Sequence, residues 1–158
     1  MKNNMFKIFL MISAFSLGSI LSAQEDSVKN NIDVKIKKAV ELRTNGSALK
    51  AVEILNKVVA ANPNSDRAYL ELGKAWSEAA GAASQKSDMM AAMEGVKKGF
   101  EALDKAVEIN PNNVEVRIYY GIFAVNVPSF FGKTEKGIKN LEYSLKTSLI
   151  SIVTCLLP

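Results

Sequence analysis

The chain has 158 residues, 48% apolar and 23% charged, the size and balance of one globular domain, which excludes a disordered chain and a second full-sized core. It has no histidine and a single cysteine, Cys155, so an intrachain disulfide and zinc or haem sites built on histidine or cysteine clusters are excluded. The formal net charge is only +4, and Lys, Glu and Asp are interspersed along every segment, without the clustered basic face that displaces counterions from nucleic acid.

Lys2 and Lys7 precede an uncharged run from Ile8 to Leu21, and Ser22-Ala23 puts small residues before the polar Gln24-Glu25-Asp26. This is the layout of a secretory signal peptide over residues 1–23, followed by a linker over 24–31. The apolar run is shorter than the roughly 20 residues a spanning helix needs. Export is therefore expected, to a periplasm first, with a secreted or membrane-anchored product as the alternatives. No cysteine stands near the cut, so a lipid anchor is not indicated. An intermolecular disulfide through Cys155 stays open in an oxidising compartment.

From Asp33 to Thr147 the pattern is of six helices with short breaks and no period-2 strand. The first runs from about Asp33 to Thr44 and is stopped by Asn45-Gly46, a pair that tolerates the left-handed conformation of a helix C-terminus. Ser47 is placed to cap the second helix, whose Ala51, Leu55, Val58 and Val59 recur at helical spacing to Ala61. Asn62-Pro63 ends it, because proline donates no hydrogen bond and disfavours helical geometry in the residue before it. Ser65 or Asn64 then caps a third helix carrying Tyr69, Leu72, Gly73 and Trp76 and ending near Ala80-Gly81. A small, polar connection follows to Lys86, and Ser87-Asp88 opens a long fourth helix to Ile109.

Asn110-Pro111-Asn112 repeats Asn62-Pro63-Asn64 at an offset of 48 residues. The same offset relates Leu72-Gly73 to Tyr120-Gly121 and Ala51 to Gly99, so three separate places agree on one register. The stretch Ala68-Tyr69-Leu70-Glu71-Leu72-Gly73-Lys74-Ala75-Trp76 resembles the first helix of the tetratricopeptide (TPR) family. Gly99-Phe100-Glu101-Ala102-Leu103-Asp104-Lys105-Ala106, with Pro111 behind it, resembles that family's second helix. The offset of 48 is then the 34-residue unit plus a 14-residue insertion, carried by an extended fourth helix or a long connection between Gly81 and Gly95. A third unit keeps Gly121, lengthens its turn through Asn126-Val127-Pro128-Ser129-Phe130-Phe131-Gly132-Lys133, and resumes with Gly137, Leu141 and Ser144. The first unit has Lys38-Ala39 where the family places Leu-Gly.

The resemblance implies an all-α, right-handed solenoid of about three antiparallel helix pairs over residues 32–147. Each pair has an apolar face that it buries only by stacking on its neighbours. It also implies a concave groove lined by first helices: Ile36, Val40 and Arg43, then Arg67, Leu70 and Lys74, then Ile118 and Ile122. A groove that is partly apolar with three basic residues suits an extended peptide or protein tail of apolar and acidic character. The function implied is a non-catalytic protein-binding scaffold of the bacterial cell envelope with no cofactor and no metal, its partner a protein or peptide and not nucleic acid. Membrane contact would come only through an uncleaved leader or the apolar tail. A ligand-binding component of an envelope transport system for a small or apolar molecule is the second reading.

The tail, residues 148–158, is uncharged and rich in β-branched side chains. It reads either as a strand or helix covering the last unit or as the product of a truncation or frameshift, the latter favoured by the abrupt change in composition after Thr147.

Other patterns have ordinary explanations. Gly132-Lys133-Thr134 resembles the end of a phosphate-binding loop, but Val127 stands where glycine is required and no strand precedes it; Thr134 is the expected cap of the sixth helix. Ser47-Ala48-Leu49-Lys50 has the Ser-x-x-Lys spacing of penicillin-binding acyl transferases without their companion motifs. Asn45-Gly46-Ser47 is a glycosylation sequon inside an expected turn. Glu71, Glu78, Glu101, Asp104 and Glu108 are expected on solvated faces, with Glu101 supporting Lys105. Phe130 and Phe131 either fold back between the fifth and sixth helices or form an exposed loop anchor for a partner. Met89, Met90 and Met93 are expected in the core, with an adaptable contact surface as the alternative.

Overall fold

The structure, a computed structural model, describes residues 31–156, with side-chain surroundings given through residue 151. The expected leader, most of the linker, and the Cys155 side chain lie outside the described residues. The chain divides into a unit of residues 1–35 and a second unit, Ile36–Pro158. Of the first, residues 31–35 are described and are helical.

Six helices are present and no strand occurs among the described residues: α1 (31–44), α2 (Ala48–Ala61), α3 (Asp66–Gln85), α4 (Met89–Ile109), α5 (Val114–Asn126) and α6 (Thr134–Leu156). A single 3₁₀ turn, Ser129–Phe131, lies between α5 and α6. The broadest packing is of α3 on α4 and of α5 on α6, with α2 against α3. The fold is thus the expected stack of helix pairs.

The turns carry the chemistry read from the sequence. Gly46 adopts φ +75°, and the amides of Gly46 and Ser47 reach back to the carbonyls of Arg43 and Leu42, which satisfies acceptors that the end of α1 leaves open. Ser65 caps α3 by accepting from the amide of Ala68, Asp88 caps α4 through Ala91, and Asn113 caps α5 through Val116. Two expected caps are corrected. Ser47 occupies the cap position of α2 without a side-chain hydrogen bond, and Thr134 is the first residue of α6 rather than its cap.

The third helix does not stop at Gly81 but continues to Gln85. The alanines around Gly81 are strong helix formers and outweigh one exposed glycine, which disfavours a helix by only about 1 kcal/mol. The 14 extra residues are therefore shared by α3 and α4, which form an unusually long pair of 20 and 21 residues beside the 13-residue α5. The β-prone stretch after Thr147 also remains helical, since adding a residue to an existing helix is far easier than nucleating one. Leu149 and Ile150 on it are exposed, so this part of the tail is not a buried strand.

Close helix approach is set by glycine. A Cβ at Gly73 would stand 2.7 Å from Leu103 Cγ, and one at Gly121 would stand closer still to Leu141 Cγ. The backbone carbonyls of Gly99 and Gly137 lie behind these two contacts, at 3.3 and 2.9 Å. The two pairs α3–α4 and α5–α6 thus repeat one crossing, Gly73 with Leu103 and Gly121 with Leu141. The core between them is built from Leu70, Phe100, Leu103, Val116, Tyr120 and Phe123, with the Phe100 ring centroid 5.4 Å from that of Tyr120 and 4.5 Å from that of Phe123.

Candidate functional site

The helical spacing of Glu71, Lys74 and Glu78 puts all three on one face of α3. Arg43, near the end of α1, reaches Glu71 at 3.4 Å and also pairs with Glu78. Lys74 Nζ lies 2.8 Å from Glu71 and 2.9 Å from Glu115 at the start of α5, and 5.7 Å from the centre of the Tyr119 ring. A ladder of alternating charge therefore joins the first helices of the three pairs. Half-burial opposes the charge on Lys74, but hydrogen bonds and attraction from Glu71 and Glu115 prevail and hold its pKa above the ordinary lysine value.

The structure corrects the expected groove in two ways. Arg43 and Lys74 are already neutralised by carboxylates, so the basic character that favoured an acidic partner is largely cancelled. Ile36 and Leu70 are each 2% exposed and belong to the core rather than to an open surface, because neighbouring helices close over the face from which they project. Val40 is half-buried, and Arg67 is exposed at the start of α3. Ile118 and Ile122 on α5 are open, at 39% and 48% exposure, and Val125 extends their stripe. Sequence reasoning missed Val125 and the role of Glu71, although the Glu71–Lys74 spacing was visible.

A second feature lies where α3 and α4 run on past α5. An apolar cleft of about 310 Å³ opens there between Ala80, Met89, Met93, Val96, Phe123 and Phe130, with Ser77, Ser84 and Asn126 among its polar lining. The 3₁₀ turn places Phe130 and Phe131 in a stack with ring centroids 4.6 Å apart. Phe131 packs against the core, as the fold-back reading expects, whereas Phe130 is 69% exposed. Met89, Met90 and Met93 are exposed rather than in the core, because α5 is too short to cover this end of α4.

Several other polar residues pair with one another. Lys133 Nζ bonds Asp104 at 2.9 Å and lies 5.4 Å from the centre of the Phe100 ring, and Lys136 pairs with the same carboxylate. Burial opposes ionisation of Asp104, but the two lysines prevail and hold its pKa below the ordinary carboxylate value. Tyr120 buries its hydroxyl without a hydrogen bond of good geometry. Burial, joined by the negative charge of Asp104, raises its pKa well beyond the ordinary phenol value. Lys105 pairs with Glu108 at 2.8 Å, not with Glu101 as expected. Among the described residues no group of three or more carboxylate or cysteine side chains is assembled for a metal, and no helix is long and apolar enough to cross a membrane.

No family model matches the sequence, and no curated protein matches it. Solved structures of MamA share the fold. The ArsTM double mutant of MamA RS-1 superposes with a TM-score of 0.59 at 22% identity, over 78% of this chain and 59% of that one. MamA from residue 41 to its end, from Desulfovibrio magneticus RS-1, gives 0.56 at 23% identity, over 75% and 56%. The chain thus spans less than two thirds of the length of these structures. The architecture they share with it is a TPR-like stack of helix pairs.

Proposed function

We propose that this chain is a TPR-family, non-catalytic scaffold of the bacterial cell envelope that holds a peptide or protein segment against its first helices. The observation that carries this reading is the stripe Ile118, Ile122 and Val125, exposed on α5 beside the charge ladder. An apolar strip bordered by fixed charges supplies both contact area and register for an extended segment. The neutralised ladder favours a partner with apolar side chains and balanced charge over a purely acidic one. The TPR-like fold and the leader-like N-terminus support the scaffold role and the envelope location.

The test is a photo-crosslinking side chain at Ile122 in native envelopes, with the attached protein identified and then purified. Its affinity for this chain should fall at least about tenfold, or 1.4 kcal/mol, when Ile118→Asp and Ile122→Asp are combined, with the melting temperature little changed. Unchanged affinity would remove α5 from the reading.

The cleft roofed by Phe130 favours a second reading, an envelope component that carries a small apolar molecule. Its volume lies near the lower end of the range for small-molecule sites. Mass spectrometry of the intact purified protein under native conditions would show a bound apolar compound, and Met93→Glu would release it.

A further inference from the structure

Of the chain's six methionines, Met1, Met5 and Met11 precede the described residues, and the other three, Met89, Met90 and Met93, fall within the first five residues of α4. All three are open to solvent, at 61%, 85% and 46% exposure. Core filling therefore does not account for them. An apolar contact surface does not require sulfur either, since leucine has similar bulk and an equal preference for helix.

Their spacing gathers the sulfur atoms. At about 100° per residue, Met93 projects between Met89 and Met90, one turn further along the helix. Residues three and four apart have Cβ atoms about 5–6 Å from each other. Long side chains on a helix lean towards its N-terminus, which carries Met93 back over the turn that holds the other two. With three rotatable bonds in each side chain, the three thioethers can meet on a single ion.

The donor set fixes the kind of ion. Thioether sulfur is a soft, neutral donor that selects copper(I), whereas imidazole suits zinc(II) and copper(II), and the chain has no histidine. The positive end of α4 opposes a cation, but Asp88 caps that end with a carboxylate that accepts from the amide of Ala91 at 3.1 Å. Met89 and Met93 also border the cleft lined by Phe123, Phe130 and Phe131, and aromatic ring faces attract cations.

We infer that Met89, Met90 and Met93 form a binding site for one copper(I) ion. The site depends neither on a partner along α5 nor on an apolar compound in the cleft.

The probe is silver(I), a redox-inert ion with the same preference for sulfur. It is added as the nitrate, in chloride-free buffer, to the full chain with its methionine methyl groups labelled with carbon-13 and its one thiol removed by Cys155→Ser. The methyl signals of Met89, Met90 and Met93 should move together with one dissociation constant, ahead of those of Met1, Met5 and Met11. Copper(I) added under argon should reproduce the shifts, and zinc(II) should produce none. Met93→Leu should weaken the response of Met89 and Met90 at least about tenfold while the circular-dichroism melt stays unchanged. Because leucine preserves the apolar wall, that loss would leave any apolar compound in the cleft undisturbed. Signals that stay in place, titrate with separate constants, respond equally to zinc(II), fail to respond to copper(I) or ignore Met93→Leu would each overturn the inference.

Discussion

Asp66 accepts a 2.8 Å hydrogen bond from Nδ2 of Asn113, joining the first residue of α3 to the residue that caps α5. Asn110 donates to the same carboxylate oxygen at 2.8 Å, so one side chain after the first Asn-Pro break gathers Asn110 and Asn113 from the two sides of the second. The repeated break is therefore a point of contact between units as well as a helix terminator. Asp66→Ala should cost about 1–2 kcal/mol, seen as a lower urea midpoint. Asp66→Ala combined with Asn113→Ala should cost less than the sum of the two, since both remove one interaction.

Glycine substitutions should separate by position. At Gly121 an added methyl group meets Leu141 and the Gly137 carbonyl, and Gly121→Ala should destabilise by about 1–3 kcal/mol. Gly81 is helical, and a methyl group added there would meet nothing within 4 Å beyond its own stretch of helix, so Gly81→Ala should stabilise by up to about 1 kcal/mol. Thermal melts of the two variants should move in opposite directions.

Acid should weaken the fold through Asp66 and Asp104. For Asp66, partial burial opposes ionisation, but bonds from Asn113, Asn110 and backbone amides prevail, and its pKa lies below the ordinary value; Asp104 is lowered in the same direction by its lysines. Carboxylates with depressed folded-state values stabilise above their unfolded pKa, about 3.9, and that contribution is lost as pH falls through the lower folded values. The melting temperature should hold from pH 7 to about 5 and then drop below about 4. Asp104→Asn should flatten that drop. At the alkaline end the raised values of Lys74 and Tyr120 give stability that is present below about pH 10 and lost above it.

The charge ladder should depend more on Glu71 than on Glu115. Glu71 is buried and serves both Arg43 and Lys74, whereas Glu115 is largely open to solvent. Glu71→Ala should cost about 2–3 kcal/mol because two partly buried cations lose their shared partner. Glu115→Ala should cost less than about 1 kcal/mol. Chemical denaturation of both variants gives the comparison.

Phe130 and Phe131 should respond differently to alanine. Phe131→Ala removes a ring packed on the core and should lower the melting temperature, whereas Phe130→Ala should leave it nearly unchanged.

The helices, their order and the equivalence of the two Asn-Pro breaks are legible in the sequence because proline, asparagine and glycine act locally. Gly73 and Gly121 reveal the register for the same reason, since a missing side chain is visible in one dimension. The groove is less legible. Ile36 and Leu70 sit at positions that family analogy assigns to an open surface, and only the stacked neighbours bury them. Arg43 and Lys74 read as basic until helices far apart in sequence bring Glu78 and Glu115 to them. The end of α3 is hidden too, because Gly81 looks like a stop in isolation, while the helix-forming alanines on either side of it carry the helix on to Gln85.

The shared lengthening of α3 and α4 has a practical consequence at the bend between Gln85 and Met89. Because the two helices extend by similar lengths there, matched changes at the bend leave the crossing of Gly73 with Leu103 in place. This hairpin should therefore act as a spacer that can be trimmed by matched turns, or carry a grafted reporter, while the rest of the stack keeps its register.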